Sequence, residues 1–338
     1  MENVLKIERT PAALNPSPLI SVVLPTYNGS RYLNESISSV VGQTYRNWEL
    51  IIVDDASTDT TPQIIAEWSR GDSRIRSFRN EHNLKLPGSL NRGFDIARGE
   101  FLTWTSDDNL YRATALQEML EFLLNHRSLG LVYTDFSDID ERGRVIEEIH
   151  AGEPSALTER NCVRACFMYP VEVRRRIGNY NERSFLVEDW EYWIRIARHF
   201  PLACLHRDLY QYRWHPGSLT ATRKTEIDEA VRNLLRSNLP EMKWAGRRAL
   251  ASGYLKLTDL AEDAGSHEES LKFFKTALRY APVWSVRQAR RKMIELVFGK
   301  TIAACLGVLI RTLTPRRANV TQKLPPPFRQ DTTSDSNP

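Results

Sequence analysis

The chain of 338 residues predicts an α/β fold: a mostly parallel sheet flanked by helices, followed by a C-terminal helical region. Three observations carry that expectation. Short apolar runs alternate with segments of helical period from Ile20 to Thr134. Several of those runs stop at a polar turn, Pro25-Thr26-Tyr27-Asn28, Asp54-Asp55 or Asp107-Asp108. From Glu226 onward the pattern is helical throughout.

The elements follow in order. Residues 1–19 carry Pro11, Pro16 and Pro18 and no periodicity, so they read as a lead-in. Ile20 to Leu24 is a first strand, ended by Pro25. Arg31 to Val41 places Leu33, Ile37, Val40 and Val41 at helical spacing. Leu50 to Val53 is a second strand. Thr61-Pro62 reads as an N-cap with proline at the first helical position, opening a helix to about Arg70. Arg76 to Phe78 is a short strand, Leu90 to Ala97 a helix, Phe101 to Thr105 a strand, Ala113 to Leu124 a helix and Gly130 to Thr134 a strand. Alternation of this kind means crossover connections and a sheet covered on both faces. Parallel strands end on one edge, so residues about 80 positions apart converge on one rim, where such sheets bind ligands.

The region from Ala151 to Thr222 is less regular, with a helix near Glu188 to Arg198 and an aromatic stretch ending in Tyr212-Arg213-Trp214-His215. Ala251 to Trp284 resembles one tetratricopeptide unit, with Gly265 at the turn and Pro282 closing it. One unit cannot make a solenoid, so a plain helical hairpin packed on the main domain is expected. The domain reading is 1–19 lead-in, 20–222 main domain, 223–323 helical region and 324–338 disordered tail, the last from three consecutive prolines and a polar end.

Composition excludes several classes. A hydrophobic fraction of 41% with 26% charged residues belongs to a folded protein. The net charge of +4 is local: the stretch from Arg287 to Arg317 holds eight basic residues and one acid, leaving the remainder mildly acidic. That is not the footprint of a nucleic-acid binder, whose cations sit on the functional domain. The N-terminus lacks a secretory pattern, and the apolar run Thr301 to Ile310 is half the roughly 20 residues a spanning helix needs. Four cysteines do not build a disulfide framework in a chain this long; Cys162 and Cys166 read as buried thiols, and a cytoplasmic protein is expected. The basic stretch, flanking an apolar run, is one that can lie on an anionic membrane surface. A core-packed helix with solvated basic ends is the equal alternative.

The rim chemistry narrows the ligand. There is no Gly-rich loop with lysine for a triphosphate and no Gly-x-Gly-x-x-Gly after the first strand. Clustered carboxylates repel phosphate unless a hard divalent cation lies between them, and Mg²⁺ and Mn²⁺ prefer carboxylate plus phosphate oxygens. A nucleotide diphosphate held through such a cation reconciles the features. Asp54 or Asp55 can then accept hydrogen bonds from base or ribose, and Tyr27 can stack on the base. Either Asp-Asp pair alone is commonly only a capping turn; two on one rim say more.

Ser21-Val22-Val23-Leu24-Pro25-Thr26-Tyr27-Asn28, Val53-Asp54-Asp55-Ala56-Ser57-Thr58-Asp59, Trp104-Thr105-Ser106-Asp107-Asp108-Asn109 and Val187-Glu188-Asp189-Trp190 together resemble the motifs of family-2 glycosyltransferases of the GT-A fold. The resemblance runs from about Leu19 to Thr222. It implies an inverting transferase that moves a sugar from a nucleotide-diphosphate sugar, most simply a UDP-sugar, to an acceptor hydroxyl. A divalent metal, Mn²⁺ or Mg²⁺, and a glycan or lipid-linked glycan acceptor come with it. By the same resemblance Pro25 and Tyr27 hold the base, Asp55 contacts uracil or ribose, and Asn83 and Asn91 lie on the donor side. Asp107 and Asp108 occupy the Asp-x-Asp region, as donor contact and metal ligands. Asp189 matches the general base, with Glu188 beside it as the alternative. His215 falls where a histidine often stands near metal or diphosphate. Two positions depart from the family: Thr105 replaces the first acid, and Lys85 stands where glycine is common. The competing reading is a non-catalytic nucleotide-binding scaffold of the same fold. Trp190 and Trp193, three apart, serve either an acceptor sugar or the core.

Overall fold

The computed structural model describes residues 17–288. Most of the lead-in, nearly all of the basic stretch 287–317 and the tail 324–338 lie outside the described residues. Strand β1 (Ile20–Thr26) leads to helix α1 (Leu33–Val41), then β2 (Trp48–Asp54), α2 (Thr61–Gly71), β3 (Ile75–Arg79), α3 (Lys85–Asp95) and β4 (Phe101–Trp104). After these come β5 (Leu110–Tyr111), α4 (Ala115–Asn125), β6 (Leu131–Ile139), β7 (Val145–Ile149), β8 (Phe167–Pro170), α5 (Val171–Ile177), α6 (Glu188–Ala197) and β9 (Leu202–Arg213). Helices α7 (Leu219–Thr222), α8 (Lys224–Asn238), α9 (Arg247–Asp263), α10 (His267–Tyr280) and α11 (Pro282–Gln288) follow. The strands form one sheet in the order β3-β2-β1-β4-β8-β6-β9-β5, with β7 added to β6.

The first half of that sheet is parallel: β1 pairs with both β2 and β4, and β2 with β3. Every residue of β1 is buried, because the strand is covered on both faces. Ile20, Val22 and Leu24 join a core with Leu33, Ile37 and Val40 of α1 and Leu116, Met119 and Leu123 of α4. Val23 faces the other way, into a core with Leu90 and Phe94 of α3 and Trp190 and Trp193 of α6. Period two on the strand and period 3.6 on the helices thus meet at the same residues. Both tryptophans are core residues: Trp190 Nε1 donates to the Leu157 carbonyl at 2.9 Å, and Trp193 packs on Phe167.

The second half is mixed: β8 is antiparallel to β4 and β6, while β9 runs parallel to β6. The aromatic stretch from Leu202 is therefore a long strand, and its end delivers Arg213 beside the β4–β5 turn. Helix α3 begins five residues earlier than periodicity suggests, at Lys85, whose φ of 61° lies in the left-handed region. That conformation is cheap only for glycine, which gives a physical reason why glycine would suit this position. In α2, Thr61 lies inside the helix; its N–H is capped by Asp59 Oδ1 at 2.9 Å.

Helices α9 and α10 form the expected hairpin around Gly265, at φ 75°, but Pro282 opens α11 instead of ending the unit. Leu234, Leu250, Leu257 and Phe273 of the helical region share a core with Trp190 and Leu157. At Gly253 a Cβ would stand 2.4 Å from the Thr158 carbonyl oxygen and 2.5 Å from Leu239 Cδ2. Gly253→Ala should therefore overpack this seam and cost about 1–3 kcal/mol. The expected readout is a melting temperature lowered by several degrees; an unchanged one would contradict the close approach. Among the described residues no helix is long and apolar enough to cross a membrane.

Candidate functional site

Parallel pairing brings the ends of β1, β2 and β4 to one edge of the sheet. Pro25 is buried in β1, and Tyr27 just beyond it is 50% exposed, leaving its ring face free for stacking. The two aspartates after β2 divide their work. Asp54 accepts from the Ser57 N–H at 2.9 Å and pairs with Arg79, which is a structural task. Asp55 is also buried, and its Oδ1 takes both the Asn80 side-chain amide at 2.8 Å and the Leu84 N–H at 2.7 Å. Its second oxygen carries neither bond.

Asn83 and Asn91 make contacts of their own. Asn83 is exposed, and its Oδ1 caps the Lys85 N–H at 2.9 Å. Asn91 is clasped to the main chain of Tyr180 by two bonds of 2.8 and 3.0 Å. The asparagine that reaches Asp55 is Asn80, which sequence reading passed over. Lys85 is exposed and lays its ammonium 4.8 Å from the Phe185 ring centre.

After β4 the acids diverge. Thr105, at the position of the missing first acid, is buried and hydrogen-bonded to the Tyr210 hydroxyl at 2.7 Å. It belongs to the core. Asp107 accepts from the Thr26 hydroxyl and packs on Gly29, where a Cβ would meet Asp107 Oδ2. Burial, and then the charge of Asp108, push the Asp107 carboxyl up to about 7. Asp108 turns to His215, whose Nε2 lies 3.0 Å from Oδ2, while its Oδ1 is buried with no partner among the described residues. The His215 ring rests against Tyr32, with centroids 5.1 Å apart. Arg213, 1% exposed, fixes this corner. Its Nε donates to the Asp108 carbonyl at 2.9 Å and its Nη2 reaches Glu35 at 2.6 Å.

An orphaned carboxylate oxygen beside an imidazole suits a divalent cation, with ligand oxygens completing its shell. Asp108 and His215 are the residues placed to hold it. Asp107 lies next to them, its charged form disfavoured by burial.

The base candidates sit at the start of α6. Asp189 Oδ2 accepts from Asn161 Nδ2 at 2.6 Å, and Oδ1 from the Trp190 N–H at 2.6 Å. The Asn161 carbonyl is itself taken by the Arg164 N–H at 3.1 Å, so its NH₂ must face the carboxylate. The helix N-terminus also favours negative charge there. Desolvation outweighs these aids and holds the Asp189 carboxyl above the ordinary range. Asn161 was not evident from sequence, since a lone Asn in an irregular stretch carries no spacing signal.

Glu188 is more deeply buried than Asp189, and its Oε2 has no partner among the described residues. Desolvation and the neighbouring Asp189 push its carboxyl up to about 8. A raised value means the folded state holds this proton more tightly than the unfolded chain does. Stability then falls as pH climbs toward and through about 8, and is unpenalised below about 4.5. Melting temperatures measured between pH 6 and 9 should decline in the wild type and decline less in Glu188→Gln. Parallel curves would show that Glu188 does not carry this burden.

Comparison with known proteins adds three findings. The model of the family described as Glycosyl transferase family 2 matches residues 21–178. The chain is 32% identical over 190 residues to "Putative glycosyltransferase EpsE" of Bacillus subtilis (strain 168), covering 54% of this chain and 68% of that protein. It is 27% identical to "Putative teichuronic acid biosynthesis glycosyltransferase TuaG" of the same organism, over 62% of this chain and 84% of that one. A longer relative, an uncharacterized glycosyltransferase of Rickettsia felis, is matched over only 34% of its length. In fold the chain is similar to S. aureus TarS residues 1–349, solved in complex with UDP-GlcNAc. The TM-score is 0.61 at 17% identity, covering 86% of this chain and 88% of that one.

Proposed function

The chain belongs to glycosyl transferase family 2, and from that premise we propose that it moves a sugar, with inversion, from a nucleotide-diphosphate sugar to an acceptor hydroxyl during glycan assembly. Asp189 carries the reading. It is a single carboxylate aimed by Asn161 and Trp190, with its proton affinity raised by burial.

An acceptor hydroxyl is a poor nucleophile. A carboxylate within hydrogen-bond reach takes its proton as the oxygen attacks, and an affinity raised toward neutrality suits that transfer. The oxygen bonds to the anomeric carbon, the bond to the diphosphate breaks, and the electron pair leaves with the phosphate. One displacement inverts the centre, so no second carboxylate nucleophile is needed. On the donor side, Tyr27 offers a stacking face and Asp55 a free carboxylate oxygen. A divalent cation on Asp108 and His215 would supply charge stabilisation to the leaving diphosphate. A UDP-sugar is the donor this reading favours, since a TarS structure carries UDP-GlcNAc.

The scaffold alternative draws on Thr105, which stands in place of the motif's first acid and is tied into the core. The deciding experiment incubates the protein with UDP-, GDP- and TDP-sugars and Mn²⁺, and follows nucleoside diphosphate by mass spectrometry. Slow metal-dependent release from one donor class is expected even without acceptor. Absence of turnover with every donor, together with absence of metal-dependent nucleotide binding, would overturn the proposal.

A further inference from the structure

A second constellation of ligating side chains lies outside the donor rim. Asp135 sits on β6, and Cys204 and His206 sit on β9, which runs alongside it. Cys204 and His206 are two apart, so both project from one face of the strand. The β6–β9 register slips on either side of Asp135, and such irregularities re-aim side chains. The thiol sulfur, an imidazole nitrogen and a carboxylate oxygen all fall within 4.8 Å of one another. From Cys204 to Arg213, β9 spans nine residues at about 3.3 Å each, so the cluster and the His215 corner belong to opposite ends of the strand.

We propose that Asp135, Cys204 and His206 form a zinc-class metal site that clamps β6 to β9. The distances favour it. Tetrahedral Zn²⁺ with bonds of about 2.0–2.1 Å to nitrogen or oxygen and about 2.3 Å to sulfur sets ligand atoms roughly 3.3–3.6 Å apart. Here Cys204 Sγ is 3.6 Å from His206 Nδ1 and 3.8 Å from Asp135 Oδ1, and His206 Nδ1 is 3.3 Å from each Asp135 oxygen. The hydrogen-bond supply argues the same way. One ring nitrogen faces a sulfur and two carboxylate oxygens, and it has at most one proton to give. His150 Nδ1 lies 3.1 Å from Asp135 Oδ2, on the same carboxylate, and the remaining position is left to solvent. The Ala151 N–H, 2.8 Å from Oδ1, orients the carboxylate as outer-shell partners of metal ligands do. Mixed thiolate, imidazole and carboxylate donors suit Zn²⁺ better than Mg²⁺ or Mn²⁺. Binding would displace the Cys204 proton to solvent as the sulfur–metal bond forms. The clamp would tie β6, β9 and the segment that leaves β7 at Ala151.

The test uses the full chain stripped with chelator and titrated with Co²⁺ as a spectroscopic stand-in. The background is Asp108→Ala, which removes the rim's own cation ligand. One equivalent should bind, with the intense visible bands of a tetrahedral site and a thiolate-to-cobalt band in the near ultraviolet. Cys204→Ser should abolish the thiolate band, whereas Cys162→Ser should leave it intact. His206→Gln, at a half-exposed position that should fold normally by circular dichroism, should weaken Zn²⁺ binding at least tenfold in competition with a chelator. No stoichiometric binding, a thiolate band that survives Cys204→Ser, or unaltered affinity in His206→Gln would overturn the site.

Discussion

Asp189→Asn should lower turnover about 10²- to 10⁴-fold, the usual worth of a positioned general base, while leaving donor affinity unchanged. The amide nearly matches the carboxylate in shape, and its one oxygen can accept from Asn161 Nδ2 or from the Trp190 N–H, but not from both. What is lost is the capacity to take a proton and one of these hydrogen bonds. Because burial already disfavours the charged form at this site, removing the charge offsets part of that loss, and the melting temperature should fall only modestly. Equilibrium binding of nucleotide sugar, melting temperature and rate together distinguish a lost base from a damaged structure. The pH profile adds an independent check. In the wild type, kcat/KM should rise with pH through the elevated titration of the Glu188–Asp189 pair, since the base must be unprotonated, and the variant should lack that limb. Turnover within threefold of wild type would move the base elsewhere, and a wild type without turnover whose donor binding the substitution leaves unchanged would favour the scaffold reading.

Asp108→Ala should be nearly as damaging, for a different reason. It removes the carboxylate whose Oδ1 is buried without a partner and whose Oδ2 faces His215. Charge stabilisation by a bound cation is worth several kcal/mol, so a loss of roughly 10³-fold is expected at 1.36 kcal/mol per tenfold. The variant should also need far more Mn²⁺ for half-maximal activity. Chelating the metal from the wild type should reproduce the loss, and added Mn²⁺ should rescue the wild type alone. Full activity of the wild type in chelator, or equal activity of both proteins with added Mn²⁺, would rule out cation dependence through Asp108.

The parallel half of the sheet was legible because its signal is local. Apolar runs such as Leu50 to Val53, followed by paired acids, announce strand ends, and parallel pairing then gathers those ends without further information. The separation of Asp54 from Asp55 was not legible. It depends on Arg79 and Asn80, from β3 and just beyond it, and only the fold says which acid each one meets. Asn161 illustrates the same limit: its role comes from reaching across 28 residues to Asp189. The start of α3 was missed because Lys85 occupies a left-handed conformation that the apolar periodicity does not reveal. The Asp135–Cys204–His206 cluster was hidden for a related reason. Cys-x-His is two residues of a motif, and its third member lies on a strand 69 residues away that pairs with β9 only in the sheet.

The seam at Gly253 bears on how such a protein can be recombined. Its backbone lies against Thr158, in the turn that also holds Leu157 beneath Trp190, one residue after Asp189. A chimera joined at Thr222, taking its helical region from a relative, would keep one half of that fitted surface and discard the other. The mismatch would be felt first by the turn under α6, and so would shift the proposed base Asp189 before it changed acceptor choice. Exchanging residues 154–158 together with the helices would carry the matching surface across, making the turn and the helical region one transplantable part.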